Sequence, residues 1–245
     1  MNQRGLVVSC EHGGREVPPA YAALFVDHEA LLASHRGWDP GALPLARQIA
    51  DALAAPLHAS TTTRLLIDLN RSIGHRQLFS ELTRGLARAQ REDIVRSYYR
   101  PHRDRVEGDI ARRIAGGQAV IHIASHSFTP VLHGVTRRAD VAWLYDPRRR
   151  GEAALAQRWM AELAQRAPDL RLRRNYPYQG RGDGLASLLR QRFGGDAYVG
   201  IELEVNQRFV AQGGAAWAAL RADLVASLAA ALGNALGDAP PRLPS

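Results

Sequence analysis

The chain has 245 residues, 46% of them hydrophobic, which is enough to bury the core of one large α/β domain. All 32 basic residues are arginines, and the formal net charge of +8 raises the question of a nucleic-acid partner. Because the arginines are dispersed among acidic residues, we expect no nucleic-acid partner and instead a positive field that favours small anionic substrates.

The single cysteine, Cys10, excludes an intrachain disulfide. No apolar stretch approaches the roughly 20 residues that a membrane helix needs. The N-terminal residues lack the long apolar segment and small-residue cleavage site of a signal peptide. We therefore expect a cytoplasmic protein without a membrane partner.

The N-terminal half alternates between strand-like and helical patterns. Residues 6–9 predict a strand, and residues 21–34 have the apolar spacing of a helix. Residues 42–53 predict a strong amphipathic helix, and residues 57–69 predict a pair of strands or one long strand. Residues 81–115 are heavily charged and are expected to be mostly helical.

The C-terminal half continues the alternation and ends in a proline-rich tail, residues 238–245, which we expect to be frayed. Strands that alternate with helices are typical of an α/β domain with a mainly parallel sheet, and we expect one domain over residues 1–245. The predicted strands are 119–125, 140–145, 170–175 and 198–205, and the predicted helices are 151–167, 185–192 and 215–233.

Two histidines each lie where an apolar strand-like run breaks into small polar residues, His12 in the first run and His126 in the run that begins at residue 119. Imidazole is the commonest protein metal ligand, and strand ends face the crevice where open α/β sheets bind ligands. Catalytic zinc sites use three protein ligands, and Asp39, Glu16 and Glu11 compete for the third place. The pattern suggests a metal-assisted hydrolase.

Two carboxylates, Glu202 and Glu204, end another apolar run. Their spacing of two places both side chains on one face of a strand. Buried carboxylates need a metal, an arginine or a water-activating role to offset their desolvation. In metal-dependent amide hydrolysis a glutamate accepts a proton from water and delivers it to the leaving nitrogen, so either residue is a candidate base.

A candidate anion anchor follows the apolar run that ends near residue 69. Arg71 has the group that clamps a carboxylate with two hydrogen bonds, and Asn70 can donate to the same carboxylate. Asp68 can orient Arg71, and Arg64 is a second basic candidate. Tyr178 lies on a loop that continues into Gly180 and is a candidate for the wall or lid of a pocket.

Six motifs, in the same order, resemble those of the N-formylglutamate amidohydrolase family. The likeness runs from about residue 6 to about residue 210, and it is specific as a set although no single motif is. The motifs are Ser-Cys-Glu-His-Gly-Gly (9–14), Gly-Trp-Asp-Pro-Gly-Ala (37–42), Asp-Leu-Asn-Arg (68–71), Ser-His-Ser-Phe-Thr-Pro (125–130), Asn-Tyr-Pro-Tyr (175–178) and Gly-Ile-Glu-Leu-Glu-Val-Asn-Gln (200–207).

The resemblance implies a fold similar to that of the zinc carboxypeptidases, with a mixed sheet and helices on both faces. It implies hydrolysis of N-formyl-L-glutamate to formate and glutamate, in histidine degradation, with one Zn²⁺. It also implies site roles. His12 and His126 match the metal histidines, Asp39 the third ligand or a residue beside it, Arg71 with Asn70 the carboxylate anchor, and Glu204 the general base, with Glu202 as its close competitor.

One departure from the family's fold relatives concerns Arg15. It occupies the place of the glutamate in the His-x-x-Glu arrangement of zinc carboxypeptidases. The reaction class therefore transfers better than the substrate. The alternative is a zinc peptidase or another deacylase acting on a carboxylate-bearing substrate. A basic module that binds polyanions is a second class of function, and it predicts binding that falls steeply with salt.

Overall fold

The fold is built on a six-stranded sheet in a computed structural model, which describes residues 4–236. The predicted proline-rich tail lies outside the described residues. The strands of the chain are β1 (Arg4–Cys10), β2 (Leu57–Ala59), β3 (Ala119–Phe128), β4 (Val131–Leu132), β5 (Val135–Thr136), β6 (Val141–Leu144), β7 (Leu172–Arg174) and β8 (Tyr198–Asn206).

The strand order in the large sheet is β2-β1-β3-β8-β6-β7, and β4 and β5 form a separate hairpin. Every neighbouring pair in the large sheet is parallel except β6 and β8. The prediction of a mixed, mainly parallel sheet is confirmed. β3 continues three residues beyond the predicted end, so His126 lies within the strand and not after it.

Helices cover both faces of the sheet, as predicted. They are α1 (Glu29–Ala33), α2 (Ala42–Ala52), α3 (Arg88–Ile94), α4 (Arg100–Ala115), α5 (Arg150–Arg166), α6 (Leu185–Arg192), α7 (Arg208–Gln212) and α8 (Gly214–Leu236). Helices α2, α5 and α8 share one apolar core with β1 and β3, and α4 and α6 share another with the opposite face. Neighbouring strand residues divide between the two cores, because side chains alternate along a strand.

The expectation that no apolar stretch reaches membrane-spanning length is wrong for α8. Its segment Gly214–Gly233 has 20 residues and a mean hydropathy of 1.4. The helix packs against α5, where Leu224 and Leu228 are fully buried and Trp159 donates a hydrogen bond to the carbonyl oxygen of Leu224. This packing against the protein's own core accounts for the apolar side of α8.

A third apolar core lies away from the sheet, beneath an irregular segment of residues 60–87. Only Leu57–Ala59 of the predicted strand region pairs with the sheet, so the strand prediction is wrong beyond residue 59. The apolar run that suggested a strand is buried here instead. Its members Leu65, Leu66, Ile67 and Leu69 pack with Tyr21, Phe25, Leu32, Leu78, Ile94 and Tyr99.

Two predicted helices are shorter or more broken than their patterns indicate. The region 21–34 divides into a 3₁₀ helix, Pro19–Phe25, and α1, because Asp27 between them has a φ of 67°, which no right-handed helix accommodates. The helical region predicted from residue 81 begins at Arg88. It passes through a π-helical turn, Val95–Tyr99, between α3 and α4.

Candidate active site

His12 and His126 converge on one carboxylate. His12 follows β1, His126 lies in the neighbouring β3, and their ring centroids are 5.2 Å apart. Asp39 precedes α2, and its backbone N–H donates to the carbonyl oxygen of His12 at 2.9 Å. Asp39 Oδ2 lies 3.4 Å from Nδ1 of His12 and 3.0 Å from Nδ1 of His126. Three elements thus bring three potential ligands within 4.8 Å of one another.

This donor set fits a divalent cation. Ligands at about 2.0–2.1 Å from a tetrahedral zinc ion are separated by about 3.4 Å, close to the nitrogen-to-oxygen distances found here. Burial opposes a charged imidazole, but the hydrogen bonds and charges of Asp39 and Glu11 raise the pKa of His126 well above its ordinary value. The same two carboxylates that favour positive charge on His126 would also favour a bound cation.

The structure separates the three acids that compete for the third ligand position. Glu16 is exposed, and its carboxylate accepts a hydrogen bond from Thr61 at 2.6 Å. Glu11 is fully buried but contacts His126 through Nε2, at 3.1 Å, the ring nitrogen that does not face Asp39. Among these acids, Asp39 alone faces both histidines with its carboxylate.

Glu204 and Glu202 differ in their partners. β3 and β8 pair in register, so Glu204 lies opposite His126 and Glu202 opposite Ala124. Burial, with the added repulsion of Asp39 and Glu202, raises the pKa of Glu204 to about 8. Its Oε2 has no hydrogen-bond partner among the described residues, whereas Glu202 accepts a hydrogen bond from Asn70 at 3.3 Å. Of these two carboxyl groups, Glu204 is therefore the one that lies opposite His126 with an oxygen not engaged by the described residues.

Arg64 links the two aspartates of the site. Its guanidinium lies 3.2 Å from Asp39 Oδ1 and 2.7 Å from Asp68 Oδ2. Burial opposes ionisation of Asp68, but Arg64 and His12 together hold its pKa well below the usual range. The sequence suggested that Asp68 orients Arg71. The described hydrogen bonds of its side chain go to Arg64, His12 and the backbone of Asn70 instead.

The turn that carries Asn70 and Arg71 is held by residues far away in the sequence. Arg71 donates to the carbonyl oxygen of Asp183 at 2.8 Å, and the backbone N–H of Ser72 donates to the Asp183 carboxylate at 2.9 Å. The side-chain oxygen of Asn70 accepts the N–H of Leu185 at 2.7 Å. These contacts fix both candidate anchor residues at the wall of one cavity.

The cavity has a volume of about 310 Å³ and is lined by all nine residues predicted for the site. Tyr178 is 47% exposed, and its hydroxyl accepts a hydrogen bond from Arg137 at 3.2 Å. His35, which the sequence patterns did not single out, also lines the cavity. Its position four residues before Asp39 was the available signal. The nine residues are His12, Asp39, Arg64, Asn70, Arg71, His126, Tyr178, Glu202 and Glu204.

Comparisons with known proteins agree with this architecture. The sequence model of the N-formylglutamate amidohydrolase family matches residues 4–211. Gene product Atu2144 from Agrobacterium tumefaciens, which has a crystal structure, is 29% identical in sequence to this chain. The match covers 96% of this chain and 92% of that one, and the two structures superimpose with a TM-score of 0.81. An N-formylglutamate amidohydrolase from Ralstonia eutropha JMP134 shares the fold, at 18% identity over 96% and 95% of the two chains, with a TM-score of 0.68. No curated protein gives a significant match.

Proposed function

The chain belongs to the N-formylglutamate amidohydrolase family, and from this premise we propose that it is a zinc-dependent hydrolase that releases formate from N-formyl-L-glutamate. The observation that carries the proposal is the convergence of His12, Asp39 and His126 beside the buried carboxyl group of Glu204, whose Oε2 has no hydrogen-bond partner in the part of the chain that the structure describes. Such a reaction would serve histidine degradation in the cytoplasm.

The metal would be held by His12, Asp39 and His126. When bound, zinc supplies a Lewis acid for the acyl carbonyl and for water. The chain's own contribution is to remove bulk water from these groups, since all three are at least 97% buried, and to hold them at separations of 3.0–3.4 Å before any substrate arrives.

Glu204 is proposed as the group that moves the proton. Its carboxylate accepts a proton from the water whose oxygen attacks the formyl carbon, and returns that proton to the amide nitrogen as the carbon–nitrogen bond breaks. The products are formate and the free amino group of glutamate. A pKa raised by burial suits this exchange, because a group with a pKa near the working pH both accepts and releases a proton readily.

Arg71 and Asn70 are proposed to hold a carboxylate of the substrate. Both line the cavity, and each is already oriented by the segment around Asp183. A guanidinium fixed in this way binds a carboxylate with little loss of side-chain freedom. Arg64 adds positive charge to the same cavity, and Tyr178 is proposed to cover the bound substrate.

The test is metal analysis followed by a substrate panel. The purified protein is stripped with a chelator, reloaded with Zn²⁺ and offered N-formyl-L-glutamate, N-formyl-L-glutamine, N-acetyl-L-glutamate and short peptides. We expect one zinc ion per chain and zinc-dependent release of formate, fastest from N-formyl-L-glutamate. Cleavage of the peptides alone would point to the alternative, a zinc peptidase. Formate release that persists without metal would contradict the proposed chemistry.

A further inference from the structure

Each candidate metal histidine has its second ring nitrogen against a buried carboxylate. Nε2 of His12 lies 2.8 Å from Asp68 Oδ1, and Nε2 of His126 lies 3.1 Å from Glu11 Oε2. Nδ1 of both rings faces Asp39. A histidine that binds a metal through one nitrogen carries its proton on the other, so the partner of that proton decides which nitrogen is left for the metal.

We propose that Glu11 and Asp68 are positioning residues, which hold both imidazoles with Nδ1 toward Asp39 and so preform the site for one divalent cation. The inference rests on the proposed function in that it takes His12, Asp39 and His126 as the ligands of that cation. Neither Glu11 nor Asp68 is assigned contact with the metal or the substrate.

The surroundings of the Glu11 carboxylate differ from those of an acid in an ordinary structural ion pair. Its side chain is completely buried and does not line the cavity, and its described ion-pair partners are two histidines and no arginine. Its Oε2 and the Nε2 of His126 are buried atoms without a hydrogen-bond partner among residues 4–236, and their 3.1 Å approach is an ion-pair contact that does not have hydrogen-bond geometry. A carboxylate buried without an arginine is costly, and the N–H of a metal-binding imidazole would compensate it.

Asp68 contacts His12 and also connects it to Asp39 through Arg64. Its Oδ1 accepts both the Nε2–H of His12 and the backbone N–H of Asn70, at 2.8 and 2.9 Å. Its Oδ2 is paired with Arg64, which in turn lies 3.2 Å from Asp39. His12 is thus fixed relative to Asp39 on both sides of its ring, directly on one side and through Asp68 and Arg64 on the other.

Neither acid positions the histidine that the order of the chain would suggest. Glu11 is the neighbour of His12 in sequence but holds His126, whereas Asp68, which holds His12, comes from the irregular segment. Each histidine is therefore positioned by a residue from a different part of the fold. Loss of either acid is expected to affect one ligand and leave the other in place, which predicts weaker metal binding and not its complete loss.

The first test measures zinc affinity by competition with a chelator, without substrate. Glu11→Gln and Asp68→Asn keep an oxygen acceptor but remove the charge, and each is expected to weaken zinc binding about 10–100-fold. Matched controls are Glu152→Gln and Asp140→Asn. These acids are also buried, but they pair with Arg190 and Arg208, at 2.9 and 2.8 Å, and none of their described contacts is with a histidine. The controls are expected to lower the melting temperature and leave zinc affinity unchanged. Unchanged affinity in both site variants would overturn the proposal.

A second test needs no variant and therefore holds even if Glu11→Gln fails to fold. Nitrogen-15 NMR of the zinc-loaded wild-type protein reports which ring nitrogen of each histidine carries a proton. We expect Nε2 protonated and Nδ1 bound to metal in both His12 and His126. A proton on Nδ1 of either ring, or no zinc binding at all, would overturn the proposal. Zinc bound through both Nδ1 atoms without formate release would instead overturn the proposed function and leave this inference intact.

Discussion

The sheet and the irregular segment of residues 60–87 meet at the same cavity but are built in different ways. His126, Glu202 and Glu204 lie in paired strands, where the hydrogen-bond register fixes which residues are opposite one another. Arg64, Asp68, Asn70 and Arg71 lie on turns held by side-chain contacts. The sheet therefore supplies the proposed base and one of the two candidate metal histidines, and the irregular segment supplies the groups proposed for binding and orientation.

This difference implies that substitutions on the two sides have different kinetic signatures. A group that acts on the reacting atoms changes kcat, whereas a group that binds ground state and transition state alike changes KM. If both sides changed the same parameter, the division between chemistry and binding would be wrong.

His126→Ala is expected to abolish activity. It removes one of three ligands and leaves Oε2 of Glu11 buried without its ion-pair partner, so zinc should be lost and formate release should fall by more than about 10³-fold. Metal content and formate release measure this directly. His122→Ala is the matched control in the same strand, because His122 is buried but contacts Ser9 and Tyr198 instead of the site. Retention of full zinc content in His126→Ala would exclude the proposed site.

Glu204→Gln is expected to lower kcat by about 10²–10⁴-fold and to leave zinc binding in place, because an amide cannot exchange the proton. Glu202→Gln, two residues away on the same face of β8, should have the smaller effect, since Glu202 is already engaged by Asn70. Steady-state kinetics on zinc-loaded protein compares the two. The opposite order would assign the base to Glu202.

Leu66→Ala should show that the irregular segment is a packed core and not a loose loop. Leu66 is fully buried in the third core, and its truncation should lower the free energy of unfolding by about 2–5 kcal/mol. Ile73→Ala, in the same segment but 57% exposed, is expected to change it by less than about 0.5 kcal/mol. Denaturant unfolding separates the two, and similar small losses would argue against a buried core here.

Arg71→Ala is expected to raise KM about 10–100-fold while kcat stays within a few-fold of wild type, because the lost contact is to the bound carboxylate and not to the reacting atoms. Arg71→Lys should recover part of the loss, since lysine keeps the charge but not the paired donors. An equal fall in kcat for the alanine variant would place Arg71 among the groups that act in the transition state.

The stability of the metal-free protein is expected to depend on pH through Glu204. Burial raises the folded-state pKa of Glu204 to about 8, above its ordinary unfolded value, so the folded state binds more protons between these values. Wild type should therefore lose stability as pH rises toward 8, by at most about 1.4 kcal/mol per pH unit from this group. Glu204→Gln should lack this component, which melting temperatures at pH 6 and pH 8 would show.

How far the sequence predicts this molecule also differs between the two regions. The strands and helices of the sheet follow from the periodicity of buried residues, and α2 begins at the predicted residue and ends one residue early. The apolar run 65–69 has the composition of a strand but packs in a separate core, so its composition reports burial and not backbone conformation. A strand-like pattern does not show whether the run will pair in a sheet or pack in another part of the protein.

At the site, too, the sequence predicts which residues are involved better than it predicts their contacts. The motifs identified the residues that line the cavity, but spacing alone left Asp39, Glu16 and Glu11 as equal candidates. The backbone hydrogen bond between Asp39 and His12 and the ion pair with Arg64 hold that carboxylate beside both histidines, and neither contact can be read from the spacing. The contact between Asp68 and His12 and the position of His35 likewise depend on how the irregular segment folds back, which no local pattern encodes.

The hydrogen bonds that join Asp183 and Leu185 to the turn at residues 70–72 have a consequence for engineering and for evolution. The two segments are more than 100 residues apart in sequence, yet the geometry of one sets the geometry of the other. A change of substrate preference is therefore expected to require matched replacements in both segments. Chimaeras that exchange the pair together should retain an intact anchor, whereas those that exchange one partner should inherit neither parent's selectivity.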